Sequence, residues 1–242
     1  MIVHERQKRP TPRPRNLNRN MAKILFLLLL AFSIYYSLSQ VRKPSGWLGR
    51  FVLWIMNSSH SEVTDWGLSH VDIGKGFTIL DVGCGGGRTI QKMAGVATLG
   101  KVYGVDFAVD SVIASASKNK DLIEAGRVEI KQASASRLPF PDNFFDLVTA
   151  VETHYYWSTL VKDFEEILRV LKPNANFVVI AESYNRRNGY KGLRWLETRI
   201  LKFRQLSVDE HREVFSAAGF SDIQIFEDVK KGWLCGIGRK LM

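Results

Sequence analysis

Four glycines in five positions, Gly83, Gly85, Gly86 and Gly87, follow the apolar run Phe77-Thr78-Ile79-Leu80 and the pair Asp81-Val82. Backbone turns this sharply from a strand into a helix most readily where β-carbons are missing, so the stretch demands a strand, a tight loop and a helix in that order. The dinucleotide fingerprint G-x-G-x-x-G, counted from Gly83, needs glycine or alanine at 88 and meets Arg88. From residue 60 onward, strand-like and helix-like runs alternate. Strands are expected at 77–82, 101–106, 127–132, 145–151, 176–182, 221–226 and 232–238, and helices at 87–94, 109–124, 158–171 and 207–218. This alternation predicts an α/β domain on a mostly parallel, seven-stranded sheet with helices on both faces. A further helix is expected from Ser61, its N-cap, ending before Gly74. The last helix opens on a capping box, Ser207 to Glu210, and stops at Gly219.

The 242 residues hold one such domain and something extra. A formal net charge of +10 suggests nucleic acid until it is divided along the chain. Arg6, Lys8, Arg9, Arg13, Arg15, Arg19 and Lys23 face only Glu5 in the arm 1–23, which therefore carries most of the excess. What remains is an ordinary soluble surface without interleaved aromatic and basic residues, so no nucleic-acid partner is expected. Cys84 and Cys235 form no disulfide framework, and no Cys/His cluster has metal-ligand spacing.

Residues 24–41, ILFLLLLAFSIYYSLSQV, contain no charge. As a helix they would reach about 27 Å, just under the ~30 Å hydrocarbon core. A secretory signal cleaved near Ser37-Leu38-Ser39 and a buried helix are the rival readings, but the polyleucine run has no polar face for solvent. A transmembrane or anchor helix is expected, with 42–60 as linker and amphipathic helix and 61–242 as the main domain. Seven Lys/Arg before the apolar run would leave the arm in the cytosol and the domain outside. Initiation at Met21 reverses that balance, so Met21 is the expected start, with the domain membrane-anchored and facing the cytoplasm.

Read as Asp81-x-Gly83-x-Gly85-x-Gly87, the loop resembles motif I of the class I S-adenosylmethionine-dependent methyltransferases. Two further blocks share the likeness: KVYGVDFAVDSV, with Asp106 lying 23 residues after Gly83, and LPFPDNFFDLVTAVE followed by LRVLKPNANFVV. The resemblance is to the small-molecule, type 11 group of ubiquinone and menaquinone methylases. It implies a Rossmann-like fold and S-adenosylmethionine as cofactor. It also implies a donor site of Asp81, Gly83, Cys84, Gly85, Gly87, Asp106, Phe107, Ser134, Ala135 and Val151. Asp81 would receive the donor's ammonium group, Asp106 the ribose hydroxyls and Phe107 the adenine.

The chain departs from that pattern at three places. Ser134 stands where many relatives carry an aspartate for the adenine amino group. Tyr155-Tyr156 replace a Glu-His pair, with His154 just before them. Asn174-Ala175 replace Gly-Gly after the LKP motif, asparagine being tolerant of a left-handed turn. Glu152, His154 and Tyr155 are the candidates for acceptor chemistry, because ligands of parallel α/β sheets sit at the strands' carboxyl ends. The expected reaction is in-line methyl transfer to a small acceptor, with a lipid or quinone favoured. A membrane-anchored donor-binding scaffold without turnover and a protein or RNA methyltransferase are the alternatives.

Overall fold

The computed structural model describes residues 23–30, 46, 49, 61–182, 184, 185 and 204–242. The chain divides into two units, Met1–Leu38 and Ser39–Met242. In the first, residues 23–30 are α-helical and the apolar side chains from Ile24 to Leu30 are exposed. The rest of the expected 24–41 helix lies outside the described residues, as do the arm before residue 23 and nearly all of 42–60. Among the described residues no helix is long and apolar enough to cross a membrane.

The second unit is the expected α/β domain. It runs α1 (Ser61–Leu68), β1 (Thr78–Val82), α2 (Arg88–Val96), β2 (Lys101–Asp106), α3 (Val109–Lys118), α4 (Lys120–Glu124), β3 (Val128–Gln132) and β4 (Phe145–Val151). After a 3₁₀ turn, His154–Tyr156, come α5 (Leu160–Val170), β5 (Leu171–Ala181), α6 (Val208–Ala217), β6 (Ser221–Asp228) and β7 (Trp233–Arg239). The seven strands lie in the order β3-β2-β1-β4-β5-β7-β6. β1 to β5 pair in parallel, and β7 runs antiparallel between β5 and β6. Strand order reverses between β1 and β4, so the loops leaving these two strands diverge and open a crevice at their carboxyl ends.

Parallel strands covered on both faces are apolar throughout, and their alternation sorts side chains into two cores. Leu80, Val148 and Phe177 join one core, while Ile79, Leu147 and Val178 join the other. On the first face Phe164 of α5 meets Phe177 at 4.8 Å and Phe215 at 5.0 Å between ring centroids, both nearly edge-on. The aromatics of LPFPDNFFD serve packing: Phe140, Phe144 and Phe145 each set a ring against Tyr103 of β2.

Three boundaries differ from expectation for local reasons. The first helix ends at Leu68 because Ser69 Oγ and His70 Nδ1 both turn back to the Trp66 carbonyl, at 2.6 and 2.8 Å. The expected helix 109–124 is two helices, broken where the buried Asn119 amide donates to the carbonyls of Gly87 and Ser115, each at 2.9 Å. β5 begins at Leu171 and carries an irregular register against β4 before Asn176. Asn174 there takes φ +65°, the left-handed turn read from the sequence. The Ser207–Glu210 capping box forms in full, and Gly219 follows the last helix at φ +93°. Phe164→Ala, which empties the centre of the first core, should cost about 3–5 kcal/mol in urea unfolding. A loss under about 1 kcal/mol would mean that the Phe164–Phe177–Phe215 contacts do not hold α5 on the sheet.

Candidate functional site

The loop after β1 is tethered before it turns. The amides of Gly83 and Cys84 both donate to the Val105 carbonyl of β2, at 2.7 and 3.0 Å. Gly83 has φ +76°, and a β-carbon there would lie 2.0 Å from Thr153 Oγ1. Gly87 has φ +78°, and its β-carbon would meet the Ser115 and Asn119 side chains at 2.5 Å. Both conformation and space therefore require glycine at these two positions. Cys84 is buried with Sγ 3.7 Å from Ser115 Oγ, and burial pushes its thiol well up, which makes it a poor nucleophile.

Two carboxyls flank the loop. Asp81 is 2% exposed and accepts from Thr149 Oγ1 at 2.7 Å. Burial pushes its pKa up to about 7, opposed by the Thr149 hydrogen bond and reinforced by the charge of Asp106. Asp106 accepts from the backbone amides of Gly85 (3.0 Å) and Ala108 (2.9 Å), and burial raises it as well. Both line a cavity of about 270 Å³, together with Gly83, Cys84, Gly85, Phe107, Ser134, Ala135 and Val151. A zwitterionic amino acid and a ribose suit this arrangement, since one buried acid gains from an ammonium partner and the other lies beside unhindered backbone. Gly87 does not line the cavity; it sits behind the loop, against α3.

The far wall follows β4. Glu152 lines the cavity with φ +56°, and its Oε1 accepts from the Tyr155 hydroxyl (3.1 Å) and the Glu182 amide. Burial pushes its pKa up to about 8. The other two acceptor-side candidates are placed elsewhere. His154 is fully buried and outside the lining, its Nε2 3.2 Å from Nε2 of His211, whose Nδ1 lies 2.8 Å from the Ser207 carbonyl. The Ser207 carbonyl fixes Nδ1–H on His211, so His154 donates from Nε2, and among the described residues its Nδ1 has no hydrogen-bond partner. Burial, then His211, hold the His154 pKa well below the usual histidine value. The expectation of His154 as a base facing the acceptor is therefore corrected: the turn after Glu152 folds it into the domain. Tyr155 is likewise buried and outside the lining, its hydroxyl donating to Glu152 Oε1.

The lining also contains residues outside the predicted site: Thr64 of α1, Arg88 and Thr89 of α2, Thr153, Tyr156, Trp157 and Asp163. Tyr156 and Trp157 stand in the aromatic run that drew attention to this rim, whereas Thr64 carries no sequence signal. Among the described residues no group of three or more His, Cys, Asp or Glu could hold a metal ion.

A family model described as a methyltransferase domain matches residues 80–179. A demethylmenaquinone methyltransferase of Geobacillus stearothermophilus is 30% identical over 183 residues, 65% of this chain and 76% of that protein. A Bacillus subtilis protein named uncharacterized methyltransferase YdaC is 25% identical over 178 residues, 73% of this chain and 90% of that one. Against several other demethylmenaquinone methyltransferases the chain spans about half their length, 43% to 60%. Among solved structures, a SAM dependent methyltransferase from Aquifex aeolicus superposes with a TM-score of 0.62 at 21% identity, covering 79% of this chain and 98% of that one.

A carboxyl poised near pH 7 would make the binding of an ammonium group beside it proton-linked. An ammonium group beside Asp81 lowers its pKa and expels the proton, so donor affinity should rise between about pH 6 and pH 8. Calorimetry in buffers of different ionisation enthalpy should report proton release. Asp81→Asn should remove that release and weaken binding ~10- to 100-fold. An affinity independent of pH in the unaltered protein would sink the assignment. Stability without donor should move the other way. The folded protein keeps protons on Asp81 and Glu152 that the unfolded chain sheds near pH 4, so the contribution of these two groups to stability falls as pH rises toward 7 and 8. Glu152→Gln should flatten part of that fall in urea melts.

Proposed function

Because the chain belongs to the class I S-adenosylmethionine-dependent methyltransferases of the type 11 group, we propose that it methylates a small lipophilic acceptor of the quinone kind. The observation that carries this reading is that one cavity is lined both by Asp81 and Asp106 and by Glu152, Tyr156 and Trp157. Aromatic walls suit a flat, apolar ring, and relatives named demethylmenaquinone methyltransferases act on such a ring.

Bound there, S-adenosylmethionine supplies a methyl group that passes to the acceptor's nucleophilic atom as the carbon–sulfur bond breaks, leaving S-adenosylhomocysteine. The sulfonium is already activated, so the chain's work is to align the two reactants and to handle one proton. Asp81 and Asp106 hold the amino-acid and ribose ends. Glu152 faces the acceptor with Oε1 occupied by two donors, and its other oxygen takes the proton that a phenol or an activated carbon loses. A carboxyl with a pKa near 8 is well matched to that exchange. Thr153, Tyr156 and Trp157 keep water from the methyl group's path. The stretch 24–41 anchors the chain at the membrane where such acceptors dissolve, and the domain lies on the cytoplasmic side where the donor is made. The exposed Ile24–Leu30 side chains support this part of the reading.

Full-length protein given labelled donor and a demethylated quinone in detergent micelles should release S-adenosylhomocysteine. Glu152→Gln should lower kcat ~100-fold or more while donor affinity stays within about threefold. Turnover on water-soluble amines alone, or undiminished turnover in the glutamine variant, would count against the acceptor class and the proton role respectively. The full chain should pellet with membranes and a chain starting after residue 41 should not.

A further inference from the structure

Ser134, in the loop after β3, lines the cavity together with Phe107, and an uncharged hydroxyl is a weaker acceptor than a carboxylate. The structure brings a carboxylate to this place from another element. Asp163, in the first turn of α5, is 1% exposed and lines the cavity beside Ser134 and Ser136. Ser136 Oγ donates to Asp163 Oδ1 at 2.5 Å. Ser134 Oγ lies 3.5 Å from Ser136 Oγ, placed to donate to it, and accepts the Ser136 amide at 3.3 Å. The remaining bonds to Asp163 come from the Thr159 amide at 3.3 Å and the Thr159 hydroxyl at 3.1 Å.

This group sits at the nucleoside end of the cavity. The Ala133 amide donates to the Asp106 carbonyl at 3.0 Å, and Gln132 Nε2 donates to the Phe107 carbonyl at 3.0 Å, which ties 132–134 to Asp106 and Phe107. A hydroxyl that donates toward a carboxylate becomes a better acceptor, and the effect passes along a chain of such bonds. Ser134 Oγ has one lone pair engaged by the Ser136 amide and a second to offer.

We propose that Asp163, acting through the Ser136 and Ser134 hydroxyls, supplies the negative charge that reads the exocyclic amino group of adenine. Recognition of the base is thus shared between the loop after β3 and the start of α5. Asp163 is a positioning residue here, and Ser134 makes the contact. The inference rests on the donor reading above. A carboxylate that merely caps α5 would not discriminate between bases, which separates the two roles.

The test compares S-adenosylhomocysteine with S-inosylhomocysteine, whose base carries a carbonyl oxygen in place of the amino group, by calorimetry on the full-length protein. The unaltered protein should prefer the adenosyl compound ~10-fold or more, because the inosyl oxygen would face acceptors. Ser136→Ala and Asp163→Asn should each bring the ratio toward one, Ser136→Ala without disturbing the Thr159 bonds at α5. A preference unchanged in Ser136→Ala, or absent from the unaltered protein, overturns the relay. Failure to bind either compound overturns the donor reading itself.

Discussion

No β-carbon fits between Gly83 and Thr153, and this close approach holds the two halves of the site together. Gly83 ends the turn from β1, and Thr153 follows the strained Glu152 at the end of β4. The strands are neighbours in the sheet, but their loops diverge at the point where strand order reverses. Contact across that divergence sets the width of the crevice. Hydrogen bonds from Gly83 and Cys84 to the Val105 carbonyl and from Asn119 to the Gly87 carbonyl then fix the loop from the other side. The glycines thus let backbone pack against side chains in a space that has no slack.

Within this frame the polar groups are expensive to bury and are placed accordingly. Asp81, Asp106 and Glu152 each sit low in solvent, and each has its pKa raised chiefly by burial. Each also accepts from a donor supplied by a neighbouring strand or loop: Thr149, Gly85 and the Glu182 amide. Partial compensation of this sort leaves Asp81 at about 7 and Glu152 at about 8, where a cationic ligand or a proton on an acceptor can shift them.

The cavity lining contributed by β1, β2 and their loops was legible because it is made from strand ends and a backbone turn, features with strict spacing. Asp81, next to last in β1, and Asp106, last in β2, sit at the carboxyl ends of adjacent parallel strands that are buried almost throughout. Strand positions followed for the same reason, with Asn174 taking the left-handed turn its residue type suggested. The lining that follows β4 was not legible. Which of Glu152, His154 and Tyr155 meets the cavity depends on the positive φ of Glu152 and the 3₁₀ turn after it, and neither leaves a periodic trace. Thr64 and Asp163 come from helices whose patterns record only their apolar faces. Helix ends at Leu68 and Asn119 were missed because side chains capture carbonyls there, a competition that periodicity does not encode.

The His154–His211 pair gives the fold an opposite dependence on acid from its carboxyls. Both imidazoles are neutral in a one-way chain that ends on the Ser207 carbonyl, and burial lowers both pKa values. An unfolded chain would protonate them below about pH 6.5, so the pair costs stability as pH falls, while Asp81 and Glu152 cost stability as pH rises. Over mildly acidic pH the two proton inventories offset each other. The domain's stability is thereby buffered below about pH 6.5, and the loss set by Asp81 and Glu152 emerges only above it, as those two carboxyls ionise.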